Sequence, residues 1–248
     1  MWYTDKMDYL KNSRIENLPK LLFWQGRLCD CDCGKPKLPM FSNHLIAEIS
    51  ENQTKNTKIL RNRFSIFEVL NKKMRPINVI EVGVMAGDFA YAMLSCLQIQ
   101  NLYLIDPFNI DDHAAQSENL RFTKSTHLDF VVNRFKNEDK VKIIQGFSEN
   151  ELLKFLEFNE KDKMDFIYID SVHRFENVYN DILYSTQILK QDGIIGIDDV
   201  SLFLEDPGEL SEAFHAVTRF LANNKDWEMS YYSFHDNGLP NVYLSRIN

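Results

Sequence analysis

Three aspartates and a histidine in the second half of the chain have side-chain types and spacing suited to acid–base or metal chemistry. Asp170 follows an apolar segment, and His173 lies three residues beyond it. Asp198 and Asp199 follow a second apolar segment. Carboxylates crowded together raise one another's pKa, and a hard divalent cation such as Mg²⁺ relieves that repulsion through oxygen ligands. The three aspartates are therefore candidate metal ligands, and His173 is a candidate general base.

The segments around these residues predict a strand, a helix and a second strand. Residues 166–169 and 194–197 are apolar and of strand length, and residues 178–189 between them have helical apolar spacing. An Asp192-Gly193 turn is expected between this helix and the second strand. A strand–helix–strand unit forms a right-handed crossover, so the two strands should be parallel neighbours. All three aspartates would then meet at one carboxyl edge of a sheet.

The same residues also have ordinary structural interpretations. Asp170 and Asp198 can cap the helices that follow their strands, as aspartate commonly does. Asp199 can be one member of a solvated pair, and His173 an exposed first-turn residue. The metal hypothesis is favoured because the coincidence of strand ends would otherwise be accidental.

A second candidate site lies in the segment 78–88, which predicts a strand, a glycine turn and the start of a helix. Gly83 and Gly87 flank the turn, where the backbone can approach a ligand and the first N–H groups of the helix face it. Glu81 in the strand would repel a pyrophosphate and attract the ammonium group of an aminoacyl sulfonium. Met85 replaces the middle glycine of the dinucleotide fingerprint, which disfavours NAD. An ordinary strand-to-helix connection remains the alternative.

Two further strand ends belong with this turn. The apolar segment 102–105 ends in Asp106, nineteen residues after Gly87. A carboxylate at this place accepts two hydrogen bonds from a ribose diol. A third strand, beginning at Val141, runs into a polar turn that contains Gly146, Phe147 and Ser148.

With these residues, the chain from about Ile77 to its C-terminus resembles the class I S-adenosylmethionine-dependent methyltransferases. The resemblance implies an α/β fold with a Rossmann-like, seven-stranded sheet, an antiparallel last strand and helices on both faces. Segments 227–234 and 241–247 would form the terminal hairpin. The implied cofactor contacts are Glu81, Gly83, Gly87, Asp106, Gly146, Phe147, Ser148 and Asp170.

The turn at Gly146 would lie against the adenine, according to the same resemblance. This class often has an acid after the glycine, where the chain has Phe147. Adenine contacts would then depend on ring packing and on backbone or Ser148 hydrogen bonds. Alternatively, Phe147 is a core residue.

The aspartate pattern resembles the metal-dependent O-methyltransferases of the catechol type. The Asp-x-x-His form of Asp170 and His173 is more similar to bacterial enzymes that methylate sugars, such as the macrocin type, because a catechol enzyme would carry Lys at position 173. This implies methyl transfer to a hydroxyl of a sugar or nucleotide-linked sugar, with Mg²⁺ and with His173 or a ligating aspartate as base. The alternatives are a phenolic or natural-product acceptor, or a non-catalytic S-adenosylmethionine-binding protein.

Composition limits the partners of the protein. The chain has 248 residues, a length sufficient for one α/β core with an appendage. Its formal net charge is −8. No Lys/Arg-rich stripe interleaves with aromatic residues, so nucleic acid is not expected. No apolar run approaches the roughly 20 residues of a membrane span, and the first residues show no signal-peptide pattern. We expect a cytoplasmic protein that acts on a small molecule.

Two regions are predicted. Residues 1–75 form a helical and irregular extension that packs on the core, and residues 76–248 form the methyltransferase domain. The resemblance implies that the extension lies over the cofactor or forms a contact in a homo-oligomer. Two polar segments are expected near the substrate: 109–129, a lid that includes His127, and 201–208.

Three cysteines alternate with aspartates near the N-terminus, namely Cys29, Cys31 and Cys33. One-residue spacing is poor for a structural zinc site, so free thiols in a reducing cytosol are the favoured interpretation. Cys96 is expected in the core.

Overall fold

The computed structural model describes residues 47–73, 75–109, 125–157, 163–200, 212–234 and 239–247. Strands and helices alternate along this part of the chain. The strands are β1 Lys58–Ile59, β2 Ile77–Val82, β3 Ile99–Asp106, β4 Val141–Gln145, β5 Met164–Ile169, β6 Leu189–Ile197, β7 Trp227–Phe234 and β8 Pro240–Arg246. The α-helices are α1 Ile66–Asn71, α2 Asp88–Cys96, α3 His127–Phe135, α4 Ser148–Glu157, α5 Phe175–Ile188 and α6 Ala213–Asn223. Two short 3₁₀-helices are Glu51–Gln53 and Arg63–Ser65.

The strands form one sheet in the order β1-β7-β8-β6-β5-β2-β3-β4. Among the described strands, β8 alone is antiparallel to its neighbours, and the other pairings are parallel. The predicted methyltransferase-type sheet with an antiparallel last strand is confirmed. It carries one more strand than expected, because the two residues of β1 pair with β7 at the edge. The predicted crossover is also present, with Ile169 of β5 opposite Ile197 of β6.

Both faces of the sheet are covered by helices, as predicted. One core contains the buried sides of α1, α2 and α3, and the other contains those of α4, α5 and α6. The central strands are apolar on both sides, and all six residues of β5 are buried. Continuous apolar strands are typical of parallel strands enclosed between two helical layers.

The order of the strands reverses beside β2. From β2 the chain proceeds through β3 to β4 on one side, whereas β5 and β6 lie on the other. At such a reversal the connections at the carboxyl ends of the two central strands diverge and leave a crevice. The fold therefore opens a binding site above the ends of β2 and β5.

The start of β6 differs from the prediction. The strand begins at Leu189, so Asp192 and Gly193 lie within it and do not form a turn between helix and strand. Leu189 pairs with Met164, but Ile194 pairs with Phe166, so β6 contains extra residues at an irregularity. The turn-forming residues mark this irregularity.

Helix α3 also begins earlier than expected, inside the segment predicted to be a lid. Thr126 caps it, because the Thr126 side chain accepts a hydrogen bond from the backbone N–H of Asp129 at 3.1 Å. His127 is consequently buried at the first turn of a helix. Cys96, expected in the core, is exposed at the end of α2.

Several predictions fall on residues 1–46, 110–124, 201–211 and 235–238, outside the described residues. They include the three alternating cysteines, most of the predicted lid and the segment 201–208. None of the described helices combines the length and the apolar run that a membrane crossing requires.

Candidate active site

A cavity of about 360 Å³ lies at the predicted crevice, at the carboxyl edge of the sheet. The connections that follow β2, β3, β4 and β5 line it. The structure thus brings together most of the predicted cofactor contacts. Those that line the cavity are Gly83, Asp106, Gly146, Phe147, Ser148 and Asp170.

Both glycines of the first turn are required by close contacts. Gly83 has φ +82°, and a Cβ there would lie 2.0 Å from the Asp170 carbonyl oxygen. Gly87 has φ +75°, and a Cβ there would lie 2.7 Å from the Phe135 ring. Gly83 lets the connection after β5 approach the cavity, whereas Gly87 precedes α2 and is not among the cavity-lining residues.

Asp106 fastens this turn to the end of β3. Its Oδ2 accepts a hydrogen bond from the Val84 N–H at 2.8 Å, and its Oδ1 accepts one from the Phe108 N–H at 2.6 Å. Oδ2 also accepts a longer hydrogen bond from the Met85 N–H at 3.4 Å, so a second lone pair of Oδ1 remains for the predicted ribose hydroxyls. The sequence did not indicate this second, structural role.

Helix α3 holds the turn from the other side. His127 Nε2 donates to the Met85 carbonyl at 2.7 Å, and Arg134 Nη1 donates to the Ala86 carbonyl at 2.5 Å. Arg134 also pairs with Asp88 Oδ1 at 2.7 Å. These contacts keep Met85 at φ +51°, a backbone region that a non-glycine residue seldom adopts.

Glu81 is enclosed in β2 and is not among the cavity-lining residues. Only 1 % of its surface is exposed. Burial raises the pKa of Glu81 well above its usual range, Arg63 acts to lower it, and Asp106 raises it. Its Oε2 atom has no hydrogen-bond partner within the described segments. The predicted contact with the cofactor ammonium is therefore not formed directly at the cavity wall.

The three predicted metal ligands follow the adjoining strands β5 and β6, and we call Asp170, Asp198 and Asp199 the acid cluster. Asp198 lies next to Asp170, because its N–H donates to the Ile169 carbonyl at 2.9 Å. Burial first, then Asp198 and Asp199, raise the pKa of Asp170 well above its usual range. Asp199 has φ +47°, and its N–H donates to Asp198 Oδ1 at 2.9 Å. The Asp170 carboxyl therefore lies among acids that disfavour its ionised form.

His173 lies beside the acid cluster, as predicted. Its Nε2 is 3.8 Å from Asp170 Oδ1. The His173 carbonyl accepts a hydrogen bond from the Glu212 N–H at 2.8 Å, which ties this connection to the start of α6. The imidazole is therefore held next to the carboxyl that borders the cavity.

Arg63 reaches the acid cluster from the predicted N-terminal extension. Its Nη1 lies 3.3 Å from Asp198 Oδ2, and its guanidinium carbon lies 5.3 Å from the centre of the Phe89 ring. Tyr243 Oη donates to the Arg63 carbonyl at 3.1 Å. Sequence reasoning missed Arg63, because it is 135 residues from Asp198 and belongs to no local pattern.

The carboxylate oxygens of the acid cluster meet some of the requirements of a divalent cation. Carboxylate oxygens suit Mg²⁺, and the raised pKa of Asp170 beside Asp198 and Asp199 marks a place where positive charge would be favourable. In the part of the chain that the structure describes, however, no three Asp, Glu, His or Cys side chains are grouped as a metal requires. The residues thus fit a cation by chemistry, while Asp199 does not complete a three-ligand group.

Comparison with known proteins agrees with this site. Residues 80–200 match the family described as "Methyltransferase domain". None of the curated proteins matches the chain significantly. Solved structures with the same fold include three methyltransferases, each of which aligns with 75 % of this chain.

An O-methyltransferase from Bacillus cereus, bound to S-adenosylhomocysteine, has a TM-score of 0.53 at 14 % identity over 80 % of its own chain. A Podospora anserina methyltransferase bound to the same ligand has a TM-score of 0.52 at 15 % identity over 78 % of its chain. TomG of Streptomyces achromogenes, bound to S-adenosylmethionine, has a TM-score of 0.51 at 13 % identity over 80 % of its chain.

At these identities the structural likeness establishes the fold. The family match covers β2 through the Asp198-Asp199 pair, which are the elements that build the cavity and the acid cluster. The resemblance drawn from the glycine turn and the strand-end aspartates is confirmed. Residues 80–200 match a methyltransferase domain, and the sheet around them has the fold of the class I S-adenosylmethionine-dependent methyltransferases.

Proposed function

We propose that the protein is an O-methyltransferase that methylates a hydroxyl of a sugar or nucleotide-linked sugar, with Mg²⁺ held by the carboxyls of Asp170 and Asp198 and with Asp199 beside them. The observation that carries the proposal is that Asp170 belongs to two places. It lines the cavity for the cofactor, and it lies next to Asp198 in the acid cluster. An acceptor held at the cluster would therefore lie beside the cofactor.

The cofactor contacts proposed within the cavity follow the sequence prediction. Asp106 would bind the ribose hydroxyls, and Gly146, Phe147 and Ser148 would lie against the adenine. Gly83 leaves room for the cofactor between the connections after β2 and β5. Glu81 would act on the ammonium group from beneath the turn, through its charge and not by lining the cavity.

His173 is proposed as the base. The acceptor O–H bond breaks as His173 takes the proton, the oxygen forms a bond to the methyl carbon, and the S–C bond breaks to leave S-adenosylhomocysteine. Asp170, 3.8 Å away, would stabilise the imidazolium that forms. When bound, Mg²⁺ would orient the acceptor oxygens and lower the hydroxyl pKa.

A phenolic or other natural-product acceptor is the second candidate, and a specific observation favours it. Met85, Phe147 and Val172 line the cavity with 43 %, 59 % and 63 % of their surfaces exposed. Apolar side chains at a cavity mouth suit an acceptor with an aromatic ring.

We also propose that residues 1–75 act as an extension of the domain at 76–248, because Arg63 reaches the acid cluster from this extension. A cytoplasmic location and a contact between two copies through the extension remain proposals from the sequence.

A test should present the full-length protein with S-adenosylmethionine and two acceptor panels, nucleotide sugars and catechols. We expect methylation of a nucleotide sugar that stops in EDTA and returns with Mg²⁺ or Mn²⁺. Asp198→Asn should abolish turnover, whereas Asp192→Asn, which changes an exposed acid of the same strand, should not.

Three outcomes would overturn parts of the proposal. Methylation confined to catechols would show that the acceptor is a phenol and not a sugar. Full activity after rigorous metal removal would show that the reaction needs no metal, and Arg63 would then be the cation of the acid cluster. Cofactor binding with no methylated product from either panel would favour a non-catalytic binding protein.

A further inference from the structure

The connection from β5 to α5 carries both Asp170 and His173, and a residue from another segment holds its far end. The Glu212 N–H donates to the His173 carbonyl at 2.8 Å, and Glu212 Oε2 accepts a hydrogen bond from the Phe175 N–H at 3.0 Å. We call these two hydrogen bonds the Glu212 bridge. They lie on either side of Arg174, so the bridge holds the backbone both at His173 and at the start of α5.

The sequence of the connection explains why this acceptor comes from elsewhere. The first N–H groups of a helix lack partners within the helix and usually bond to a Ser, Thr, Asp or Asn side chain at the N-cap. The N-cap residue of α5 is Arg174, whose side chain has no acceptor and makes no capping hydrogen bond. Glu212 supplies the acceptor, and a carboxylate is favoured at the N-terminus of a helix.

Both ends of the connection are attached to fixed parts of the fold. The Glu212 carbonyl accepts a hydrogen bond from the Ala216 N–H at 3.0 Å and so begins α6, most of which is buried in the core shared with α5. At the other end, the Asp170 N–H donates to the Val82 carbonyl of β2 at 2.7 Å. His173 therefore lies between two anchored points, and Glu212 supplies the anchor nearer to it.

We propose that Glu212 is a positioning residue for methyl transfer, because its two hydrogen bonds keep the His173 imidazole beside Asp170 at the edge of the cavity. Glu212 itself takes no proton; the acceptor proton goes to His173. A catalytic group displaced by about 1 Å can lose roughly 10²-fold in rate. The inference rests on the proposed role of His173 as the base.

Kinetics of two Glu212 variants test the proposal on the full-length protein, with the acceptor that the nucleotide-sugar and catechol panels identify. Glu212→Ala should lower kcat by roughly 10–100-fold, because His173 loses its anchor. The Kd of S-adenosylhomocysteine should stay within about 3-fold of wild type, since the anchor at Asp170 is kept. Glu212→Gln retains an oxygen that accepts from the Phe175 N–H, so its kcat should return to within about 3-fold of wild type.

Two control variants separate positioning from stability and from charge. Asn224→Ala removes a 2.8 Å hydrogen bond to the Phe220 carbonyl at the other end of α6, and Glu176→Ala removes another acid from the first turn of α5. Both should keep wild-type kcat, although Asn224→Ala should lower Tm as Glu212→Ala does. A wild-type kcat in Glu212→Ala, an equal loss of kcat in Asn224→Ala, or a parallel loss of kcat and cofactor affinity would overturn the proposal.

Amide hydrogen exchange, followed by NMR, tests the Glu212 bridge without any acceptor. Exchange at the Phe175 N–H should be at least about 10-fold faster in Glu212→Ala than in wild type or Glu212→Gln, while the Asp170 N–H should be unchanged. Faster exchange at Phe175 with a wild-type kcat would overturn the positioning role and leave the proposed function standing. If wild-type protein methylated nothing in either panel, the proposed function would fail, and the positioning role would fall with it.

Discussion

Strands β5 and β6 carry acids at both ends, and the two ends differ in how many cations pair with these acids. At the amino edge, Asp165 is fully buried, pairs with Arg75 Nη1 at 2.5 Å and accepts a hydrogen bond from Lys190 Nζ at 2.9 Å. Asp192 pairs there with Lys73 Nζ at 2.9 Å. We call these five residues the amino-edge cluster. At the carboxyl edge, the acid cluster has Arg63 as its cation among the described residues.

The pKa shifts follow this difference. A hydrogen bond from Lys73 is the main cause of the lowered pKa of Asp192, whereas burial and Asp198 raise the pKa of Asp170. Backbone strain follows the same division, because Met85, Phe108 and Asp199, the described non-glycine residues with positive φ, all lie at the carboxyl edge. The amino edge is built for stability, and the carboxyl edge keeps unsatisfied charge where a ligand can use it.

The largest difference between the two edges should appear in kcat when His173 is replaced. His173→Ala should lower kcat by roughly 10²–10⁴ and leave the affinity for S-adenosylhomocysteine nearly unchanged, because the base is lost and the cavity is intact. His173→Asn should be similarly inactive, while Lys73→Ala at the amino edge should keep its kcat. If both His173 variants retained wild-type kcat from pH 6 to 9, the base would have to be sought in the acid cluster.

The comparison extends to Asp181, a buried acid on α5 that contacts Ser171 at the carboxyl edge. Its pKa is raised to about 6 in the folded protein, so between the ordinary value and about pH 6 the folded state binds more protons than the unfolded state. Stability conferred by this group should therefore fall as the pH rises through that window, by up to about 3 kcal/mol. Urea unfolding at pH 4 and pH 7.5 should show this change as a difference between wild type and Asp181→Asn. A difference that does not vary with pH would contradict it.

Asp165 should behave in the opposite way to the acid cluster. Asp165→Asn leaves Arg75 and Lys190 without their shared anion and should lower the free energy of unfolding by about 2–3 kcal/mol, a value reduced by the partial exposure of both cations. Binding of S-adenosylhomocysteine should stay within about 3-fold of wild type, since the change lies at the far edge. Stability equal to that of wild type would show that the amino-edge cluster contributes little.

Asp170→Asn should have the smallest effect on stability, and the sign of that effect is informative. With EDTA present, removing one of the crowded carboxylates should raise Tm by roughly 2–4 °C, because repulsion with Asp198 and Asp199 is relieved. Turnover should be lost in the same variant. A fall in Tm of similar size would mean that Asp170 is stabilised by its surroundings, as Asp165 is.

The sequence predicted those parts of the site that depend on the ends of parallel strands. Gly83, Asp106, Asp170 and Asp198 each follow or end an apolar run, and such runs in a parallel sheet finish at one edge. The resemblance to the methyltransferases, carried by the same residues, implied the helices on both faces and the antiparallel last strand.

Contacts between distant segments could not be predicted in this way. Arg63 approaches Asp198 across 135 residues, and Asp181 reaches Ser171 from the buried side of a helix, where apolar residues are the usual expectation. The predicted start of β6 was wrong because Asp and Gly, here Asp192 and Gly193, are typical both of a strand irregularity and of a turn. Only the packed structure distinguishes these alternatives.

The central claim is that the carboxyl edge, and not the amino edge, holds the cofactor. Calorimetric titration of S-adenosylhomocysteine into wild type, Asp106→Ala and Asp192→Ala tests it most directly. We predict one site per chain in wild type and in Asp192→Ala, and at least about 10-fold weaker binding in Asp106→Ala, which loses both the ribose acceptors and the clamp on the turn. Tight binding of NADH with no affinity for S-adenosylhomocysteine, or full affinity in Asp106→Ala, would contradict the claim.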